Sequence, residues 1–329
     1  MINISETNTI YIPDCTLAIV IPIYNEAKTL QYNISTIKQT LENDGITASI
    51  ILIDDGSEDA TWLEIGRIIE SMDNVYSLRF SRNFGKEAAI FAGLANVNAN
   101  YYLIMDSDLQ HPPRYIKEML TLALTEQADI VEAVKTNRGK ESLFYRFMAK
   151  GFYKLLTGVS GLELDNSSDF KLLTRQVVDA IRTFNEGNVF FRGLVDWAGF
   201  NKARLLFEVD EREGDTSRFS NARLILMALN ATLAYSSKPL YLTVFSGVVF
   251  FIISIILTIQ TIYNYVIGFS LSGFSTVIIL ILFTGSMTML SLGIIGAYIS
   301  RIYNEVKARP RYIISEAIEG TEKSKEKGN

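Results

Sequence analysis

The chain has 329 residues and a formal net charge of -5 at pH 7, which excludes the overall basic field that nucleic-acid binding requires. Its only cysteine, Cys15, excludes an internal disulfide, and its only histidine, His111, excludes a metal site made of several histidines. Hydrophobic residues make up 48% of the chain and are concentrated near the C-terminus, which favours membrane-spanning helices over a larger soluble core.

Short apolar runs alternate with helical patterns through the first part of the chain. We predict strands at Leu17–Pro22, Ser49–Ile53, Val75–Phe80, Tyr101–Met105 and Ile130–Val134. A helical pattern follows each of the first four strands. Strands that alternate with helices indicate an α/β fold, in which a mostly parallel sheet is covered by helices on both faces.

Acidic residues follow two of these strands, at the end where open α/β sheets bind ligands. Asp54 and Asp55 follow the second predicted strand, and a second acidic pair, Asp106 and Asp108, follows the fourth. Residues two apart at a strand end point the same way, so we expect Asp106 and Asp108 to converge on one cation. Two carboxylates suit Mg²⁺ or Mn²⁺, with water and substrate phosphates as the other ligands. The alternative is that these acids only cap the next helix.

A basic stretch follows the fifth predicted strand. The pattern from Leu143 to Leu156 is helical, and Arg146, Lys150 and Lys154 recur every four residues, so they form one basic face. Such a face belongs either to a solvated surface helix or to a helix that meets anionic lipid headgroups or a phosphate. We favour the second interpretation because apolar, membrane-like segments come later in the chain.

Two uncharged apolar stretches, at about residues 240–262 and 274–299, are each long enough to span a bilayer. Basic residues flank them on the outer sides: Lys238, Arg301, Lys307, Arg309 and Arg311. The positive-inside rule therefore places both flanks in the cytoplasm. Residues 1–14 lack the apolar segment of a signal peptide, which agrees with a cytoplasmic first domain. The apolar helical pattern over residues 220–236 indicates an amphipathic helix in the membrane interface.

Taken together, these motifs resemble the inverting GT-A glycosyltransferases of family two. Within that family they resemble the polyisoprenyl-phosphate glycosyltransferases, which include GtrB-like bacterial enzymes and dolichol-phosphate mannose synthase. The matching motifs are PIYNE at Pro22–Glu26, DDGS at Asp54–Ser57, SRNFGKEAA at Ser81–Ala89, DSDLQHPP at Asp106–Pro113, SDFKLL at Ser168–Leu173 and FFRGLVDWAGF at Phe190–Phe200. One departure is Thr216–Arg218, where relatives often carry Ser-Lys before an aromatic residue; Arg218 keeps the positive charge.

The resemblance implies a GT-A fold, Rossmann-like with a mostly parallel sheet, and a role for individual residues. The implied metal ligands for Mg²⁺ or Mn²⁺ are Asp106, Asp108 and Gln110, directly or through water. The implied nucleotide-sugar-binding residues are Pro22, Tyr24, Glu26, Asp54, Asp55, Lys86, Asp106, Ser107 and Arg218. The implied acceptor-phosphate residues are Arg138 and Arg146. The implied catalytic residues are Asp106, Asp108 and Asp169, of which Asp169 lies near the reaction centre.

The resemblance also implies a domain order and an activity. We expect a cytoplasmic GT-A domain over residues 1–219, an interfacial helix over 220–236, a transmembrane hairpin within 237–300 and a cytoplasmic tail over 301–329. The expected reaction moves a sugar from a nucleotide sugar, with UDP-glucose or UDP-N-acetylglucosamine favoured, to undecaprenyl phosphate. The product would be a lipid-linked sugar for cell-envelope glycosylation, made at the cell membrane by a homo-oligomer that does not bind nucleic acid.

The chemistry of the acceptor agrees with the scarcity of histidine. A phosphate monoester has a second pKa of about 6, so it is already a nucleophile at neutral pH and needs no strong general base. A metal ion on the diphosphate stabilises the leaving group, and direct displacement at the anomeric carbon inverts its configuration.

Three alternatives are weaker. A processive polysaccharide synthase shares the N-terminal motifs, but no QxxRW-like segment follows Trp197, and two spans are few for a polymer channel. A non-catalytic membrane scaffold with a transferase-like domain would be expected to lack the metal carboxylates, and both are present. A Rossmann dehydrogenase would carry GxGxxG after its first strand, and this chain does not.

Overall fold

The structure is a computed structural model that describes residues 15–135, 167–184, 191–207, 238–268, 273–307 and 309–320. The chain divides into two compact units. The first comprises Met1–Arg146, Leu162–Asp215 and Pro310–Asn329, and the second comprises Phe147–Gly161 and Thr216–Arg309. The predicted basic helix and the predicted interfacial helix over 220–236 lie outside the described residues.

The first unit alternates strands and helices over most of its length, as the sequence predicts. Its elements in chain order are β1 (Cys15–Ile23), α1 (Leu30–Asn43), β2 (Ser49–Asp54), α2 (Thr61–Ser71), β3 (Val75–Phe80), α3 (Lys86–Ala95), β4 (Ala99–Ile104), a 3-10 turn (Pro113–Tyr115), α4 (Ile116–Thr125), β5 (Ile130–Lys135), β6 (Ser167–Thr174), α5 (Arg175–Arg182), α6 (Phe191–Trp197), β7 (Lys202–Phe207) and β8 (Ile314–Ile318).

These strands form one eight-stranded sheet in the order β7-β5-β6-β4-β1-β2-β3-β8. The pairs β4-β1, β1-β2, β2-β3 and β5-β7 are parallel. β6 is antiparallel to β4 and to β5, and β8 is antiparallel to β3. The central strands are continuous apolar runs because both faces of the sheet are covered by helices. The α/β fold with a mostly parallel sheet is therefore confirmed.

Successive side chains of the central strands point to opposite faces of the sheet and belong to two separate hydrophobic cores. Ile19 and Ile21 of β1 belong to the core that also contains residues of α1, α2 and α4. Val20, between them, belongs to the core that contains residues of α3, α5 and α6. A Cβ atom on Gly93 would lie 2.3 Å from Val20 Cγ1, so this glycine allows α3 to lie close against β1. Lys86 and Glu87, at the N-terminal end of the same helix, contribute to the site described below.

Three strands were not predicted from the sequence. β6 and β7 lie in stretches that mix charged and apolar residues, and β8 lies in the segment assigned to the C-terminal tail. The structure places residues 314–318 of that segment at the edge of the sheet, paired with β3.

The second unit contains two long apolar helices, α7 (Lys238–Val266) and α8 (Phe274–Val306). Both are long and apolar enough to cross a membrane, over Thr243–Asn264 and Leu280–Val306. Of the residues in their apolar windows only 6% and 0% are buried, which separates them from the core helices of soluble proteins. The rings of Phe250 and Phe283 lie 5.3 Å apart between the two helices.

Candidate active site at the carboxyl ends of the central strands

The parallel strands β1, β2, β3 and β4 end at a common edge of the sheet. The register pairs Ile23 with Asp54, and Asp54 with Arg79, so the ends of three neighbouring strands are level. The DSDLQ segment begins two residues beyond the end of β4. Open α/β sheets bind ligands at this edge, and most of the described residues predicted for the site lie along it.

Asp54 is a fully buried carboxylate at the end of β2. Its Oδ1 accepts a hydrogen bond of 3.0 Å from the Ser57 amide. Its Oδ2 lies 3.2 Å from Arg79 Nε, which is an ion-pair contact without hydrogen-bond geometry. No described residue donates a hydrogen bond to this oxygen. Buried polar atoms are normally satisfied, so Asp54 Oδ2 is an exception among the described side chains.

Asp55 has a different role from its neighbour. Its Oδ1 accepts the Phe84 amide at 2.7 Å, and its Oδ2 accepts the Gly85 amide at 2.9 Å. Burial raises the pKa of Asp55, and these two backbone hydrogen bonds oppose the rise. The carboxylate therefore joins the loop after β2 to the loop before α3. The next residue, Gly56, has φ +67, and a Cβ atom there would lie 2.4 Å from the backbone of Arg82, so glycine allows these two loops to lie this close.

The loop after β1 is tied to the same structure. The Asn25 amide donates to Ser57 Oγ at 2.9 Å, and the Glu26 amide donates to Thr61 Oγ1 at 2.9 Å. Tyr24 is 43% exposed beside this anchored loop, whereas Pro22 is buried within β1. Of the two predicted nucleotide-binding residues Pro22 and Tyr24, Tyr24 therefore has the side chain that is exposed enough to contact a ligand.

Asp106 belongs to a cluster of two carboxylates and two cations, whose other members are Lys86, Asp169 and Arg192. Lys86 Nζ, at the start of α3, is 2.5 Å from Asp106 Oδ1 and 2.8 Å from Asp169 Oδ2. Arg192 of α6 contacts Asp169 with two nitrogens, Nε at 2.6 Å and Nη2 at 2.9 Å. Two cations therefore share one buried carboxylate, and one of them also reaches Asp106.

These contacts determine the charge states of the cluster. Burial raises the pKa of Asp169, but the hydrogen bond and charge of Arg192, together with Lys86, hold that pKa well below its usual range. Burial lowers the pKa of Lys86, and the attraction of Asp106 and Asp169 outweighs it and raises the pKa. The Arg192 pKa is likewise raised by Asp169 against the effect of burial. Asp169 stays ionised and both of its oxygens are engaged, so it is poorly suited to take up a proton as a general base.

Arg192 is a site residue that was not assigned from the sequence. It lies in the FFRGL segment, which was quoted as a matching motif without a role for its arginine. The signal was an arginine between apolar residues at the start of a helix, because a cation that is partly buried there requires a partner.

The DSDLQ segment follows the strand, as the sequence predicts. β4 ends at Ile104, one residue earlier than predicted, and Asp106 and Asp108 lie beyond it, so the alternation of strand side chains does not apply to this acidic pair. Asp108 Oδ1 accepts the Gln110 amide at 3.0 Å, and Leu109 between them has φ 59. Ser107 is buried in the same turn. Among the described residues, no three His, Cys, Asp or Glu side chains gather as a metal site.

His111 contacts the backbone of this turn through its imidazole ring. Its Nδ1 accepts the Asp106 amide at 3.0 Å, and its ring stacks on Phe170 with centroids 5.0 Å apart. Because Nδ1 is an acceptor, a neutral His111 carries its proton on Nε2. The histidine therefore shapes the turn that carries Asp106, and its Nδ1 is not directed at a metal.

Glu87 follows Lys86 at the start of α3. Its Oε2 accepts the Phe191 amide at 2.8 Å and so joins α3 to the start of α6. Burial raises the pKa of Glu87 to about 7, although that hydrogen bond opposes the rise.

A buried ion pair between Lys171 and Glu132 joins β6 to β5. Burial lowers the pKa of Lys171, and the attraction of Glu132 opposes that change.

The structure thus brings Tyr24, Asp54, Lys86, Asp106 and Asp169 to one region of the first unit. Three other predicted site residues, Arg138, Arg146 and Arg218, lie outside the described residues.

Comparisons with known proteins agree with this picture. Residues 18–182 match the family described as glycosyl transferase family 2. The chain is 37% identical over 303 residues to the putative glycosyltransferase CsbB of Bacillus subtilis (strain 168), covering 92% of each protein. It is 32% identical over 309 residues to the SfII prophage-derived bactoprenol glucosyl transferase of Shigella flexneri, covering 92% of this chain and 99% of that protein.

Among solved structures, glucosyl-3-phosphoglycerate synthase from Mycobacterium tuberculosis is similar at 21% identity and a TM-score of 0.45, over 66% of this chain and 76% of that one. The family match includes the site residues from Pro22 to Asp169 but not Arg192, and the curated relatives extend over nearly the whole chain. These findings confirm the resemblance to polyisoprenyl-phosphate glycosyltransferases drawn from the motifs. The chain is a glycosyltransferase and belongs to glycosyl transferase family 2.

Proposed function

We propose that this enzyme moves a sugar from a nucleotide sugar to a polyisoprenyl phosphate, with inversion at the anomeric carbon. The observation that carries the proposal is the arrangement at the sheet edge. An unsatisfied buried carboxylate oxygen lies at the end of β2, and a cluster of two cations and two carboxylates lies beyond β4. The relatives named bactoprenol glucosyl transferases support the lipid acceptor and favour glucose as the sugar.

The nucleotide half of the donor occupies the β1 and β2 side of this edge. Asp54 Oδ2 accepts an N–H of the base or an O–H of the ribose, and the exposed Tyr24 ring offers a surface for stacking. Asp55 acts indirectly, because both of its oxygens already accept backbone amides. UDP-glucose and UDP-N-acetylglucosamine are the favoured donors.

Asp106 and Asp108, with Gln110, would hold a Mg²⁺ or Mn²⁺ ion together with the donor diphosphate. The donor set fits: both carboxylates are partly exposed on one turn, and such ions commonly bind one or two protein carboxylates, with substrate phosphates and water completing the shell. When bound, the ion would neutralise negative charge on the leaving diphosphate.

The residues of this chain supply positioning and charge rather than a strong base. Lys86 and Arg192 are held in place by Asp169 and keep two positive charges beside Asp106 and Asp169. An oxygen of the acceptor phosphate forms the new bond to the anomeric carbon as the bond from that carbon to the diphosphate oxygen breaks on the opposite face. The acceptor oxygen is already deprotonated at neutral pH, so no proton has to be removed.

The acceptor is held by Arg138 and Arg146 in this proposal, because guanidinium groups suit phosphate recognition. Helices α7 and α8 anchor the protein in the bilayer where the lipid acceptor resides. The catalytic domain faces the cytoplasm, where nucleotide sugars are available, and the enzyme works as a homo-oligomer. The lipid-linked sugar then serves cell-envelope glycosylation.

A donor screen tests the proposal. Detergent-purified protein is incubated with undecaprenyl phosphate, Mg²⁺ or Mn²⁺, and one of UDP-glucose, UDP-N-acetylglucosamine or GDP-mannose, and the lipid fraction is analysed for attached sugar. We expect a lipid-linked sugar with a UDP-sugar, and loss of product with chelator or with folded Asp108→Asn. Glu118→Gln, an equivalent change on the exposed face of α4, should keep full activity. Activity that survives both chelation and Asp108→Asn would contradict the metal-dependent mechanism.

A further inference from the structure

The segment that follows α8 returns to the first unit as part of the sheet. β8 pairs antiparallel with β3, and the register sets Glu316 opposite Arg79. The ring of Tyr312 stacks on Phe80 with centroids 5.1 Å apart. A Cβ atom on Gly320 would lie 2.3 Å from the Val75 carbonyl oxygen, so the end of the segment also lies directly against β3.

Glu316 holds two side chains of the first unit at once. Its Oε1 accepts a hydrogen bond of 2.9 Å from Arg79 Nη1, and its Oε2 accepts one of 3.2 Å from Trp62 Nε1. The Arg79 guanidinium also lies 5.4 Å from the centre of the Trp62 ring. The carboxylate and the indole ring together fix the plane of the guanidinium.

The opposite side of that guanidinium faces the loop after β2. Nη2 donates to the Ser57 carbonyl oxygen at 3.4 Å, and Nε lies 3.2 Å from Asp54 Oδ2 without hydrogen-bond geometry. Arg79 therefore balances the charge of the buried Asp54 carboxylate without donating a hydrogen bond to its Oδ2. Glu316 sets the orientation in which the guanidinium balances the charge of Asp54 without a hydrogen bond to Oδ2.

We propose that Glu316 is a positioning residue for the donor nucleotide and acts through Arg79 on Asp54. This inference rests on the proposed function, in which Asp54 receives the nucleotide. Without Glu316, the guanidinium loses its shortest hydrogen bond and keeps only the Trp62 ring, the Ser57 carbonyl oxygen and Asp54 to set its orientation. It then either donates fully to Asp54 Oδ2 and competes with the nucleotide, or moves into solvent and leaves the carboxylate without its counter-charge. The strand that follows the second apolar helix thereby becomes part of the donor site.

The test compares Glu316→Ala with Glu319→Ala in detergent-purified full-length protein. Glu319 is exposed three residues further along, so its replacement removes the same charge from the same segment. UDP and GDP binding are measured by calorimetry, and the Michaelis constants for donor and lipid are measured alongside the thermal midpoint. Because the Glu316 side chain is 54% exposed, we expect a loss of about threefold to tenfold in nucleotide affinity. The lipid constant and the thermal midpoint should match those of Glu319→Ala.

A double-mutant cycle with Arg79→Ala shows whether the effect passes through Arg79. If it does, removal of Glu316 in the Arg79→Ala background changes nucleotide affinity by less than twofold. If Arg79→Ala does not fold, the comparison of Glu316→Ala with Glu319→Ala decides by itself.

Equal nucleotide affinities in Glu316→Ala and Glu319→Ala would overturn the inference alone, as would additive losses in the cycle. A wild-type protein that binds neither UDP nor GDP would overturn the proposed function together with the inference.

Discussion

Asp169 has a carboxylate whose ordinary chemistry is changed by its neighbours. Each of its oxygens contacts a cation, Lys86 on one side and Arg192 on the other, and its pKa is held low. Its contribution to transfer is therefore to place two positive charges rather than to accept a proton.

Replacing Asp169 with asparagine tests that role. Asp169→Asn removes the charge that orients Lys86 and Arg192, so we expect turnover to fall by about a hundredfold, the size of loss that follows when one preorganised electrostatic group is removed from a site. The shape of the pH–rate profile between pH 6 and 9 should not change, since Asp169 does not titrate there. The disappearance of an ascending limb from the profile would show that Asp169 is the general base after all.

Glu87 gives the stability of the protein a pH dependence. Its pKa is about 7 in the folded protein against an ordinary 4.5, so the folded state holds this proton more tightly than the unfolded chain does. The resulting stabilisation is present below the ordinary pKa and is lost as the pH rises through about 7. Glutamine at this position keeps an acceptor for the Phe191 amide and cannot ionise. We expect Glu87→Gln to exceed the wild type in free energy of unfolding by about 2 kcal/mol at pH 8.

Thermal midpoints of both proteins at pH 5.5 and pH 8 provide the measurement. The difference between the two pH values should shrink in Glu87→Gln and stay unchanged in the surface variant Glu118→Gln. The same pH difference in Glu87→Gln as in the wild type would mean that Glu87 is not the titrating group.

The elements of the sheet differ in how far the sequence predicts them. β1 to β4 are runs of buried aliphatic residues between turn signals, so their existence and order follow from the pattern alone. β6 was missed because Asp169 and Lys171 interrupt its apolar run. Both are buried by pairing with residues distant in sequence, which no local pattern reveals. β8 was missed because most of its residues are exposed and it exists by pairing with the edge of β3.

The same distinction applies to the site. The acids at strand ends are visible in the sequence, since each pair follows a buried apolar run. The contacts of Lys86 with Asp106 and of Arg192 with Asp169 depend on how α3 and α6 pack on the sheet. Those contacts became evident only in three dimensions.

The basic helix predicted over residues 143–156 carries the acceptor assignment at the scale of an element. If Arg146 holds the lipid phosphate, Arg146→Ala loses a charge-assisted contact, and the Michaelis constant for undecaprenyl phosphate should rise by about tenfold to a hundredfold. Nucleotide affinity by calorimetry should change by less than twofold, and exposed Arg67→Ala should alter neither quantity. A loss of nucleotide affinity with an unchanged lipid constant would move Arg146 to the diphosphate site.

At the scale of the whole molecule, we predict that the two apolar helices form a hairpin that crosses the membrane twice and leaves the catalytic unit in the cytoplasm. Single cysteines introduced at Ser270 or at Glu319, in a Cys15→Ser background, test this arrangement in intact cells. A membrane-impermeant maleimide should label position 270 from outside and should reach position 319 only after the cells are opened. Labelling at 319 in intact cells would reverse the orientation, and no labelling at 270 under either condition would argue against the hairpin.

The lipid acceptor is the central claim, and a matched pair of lipids tests it most directly. Purified protein receives radiolabelled donor with either undecaprenyl phosphate or undecaprenol, which has the same chain without the phosphate. Because the phosphate oxygen is the proposed nucleophile and needs no general base, labelled sugar should enter the lipid fraction only with undecaprenyl phosphate. Equal transfer to undecaprenol, or donor turnover that leaves undecaprenyl phosphate unmodified, would contradict the account.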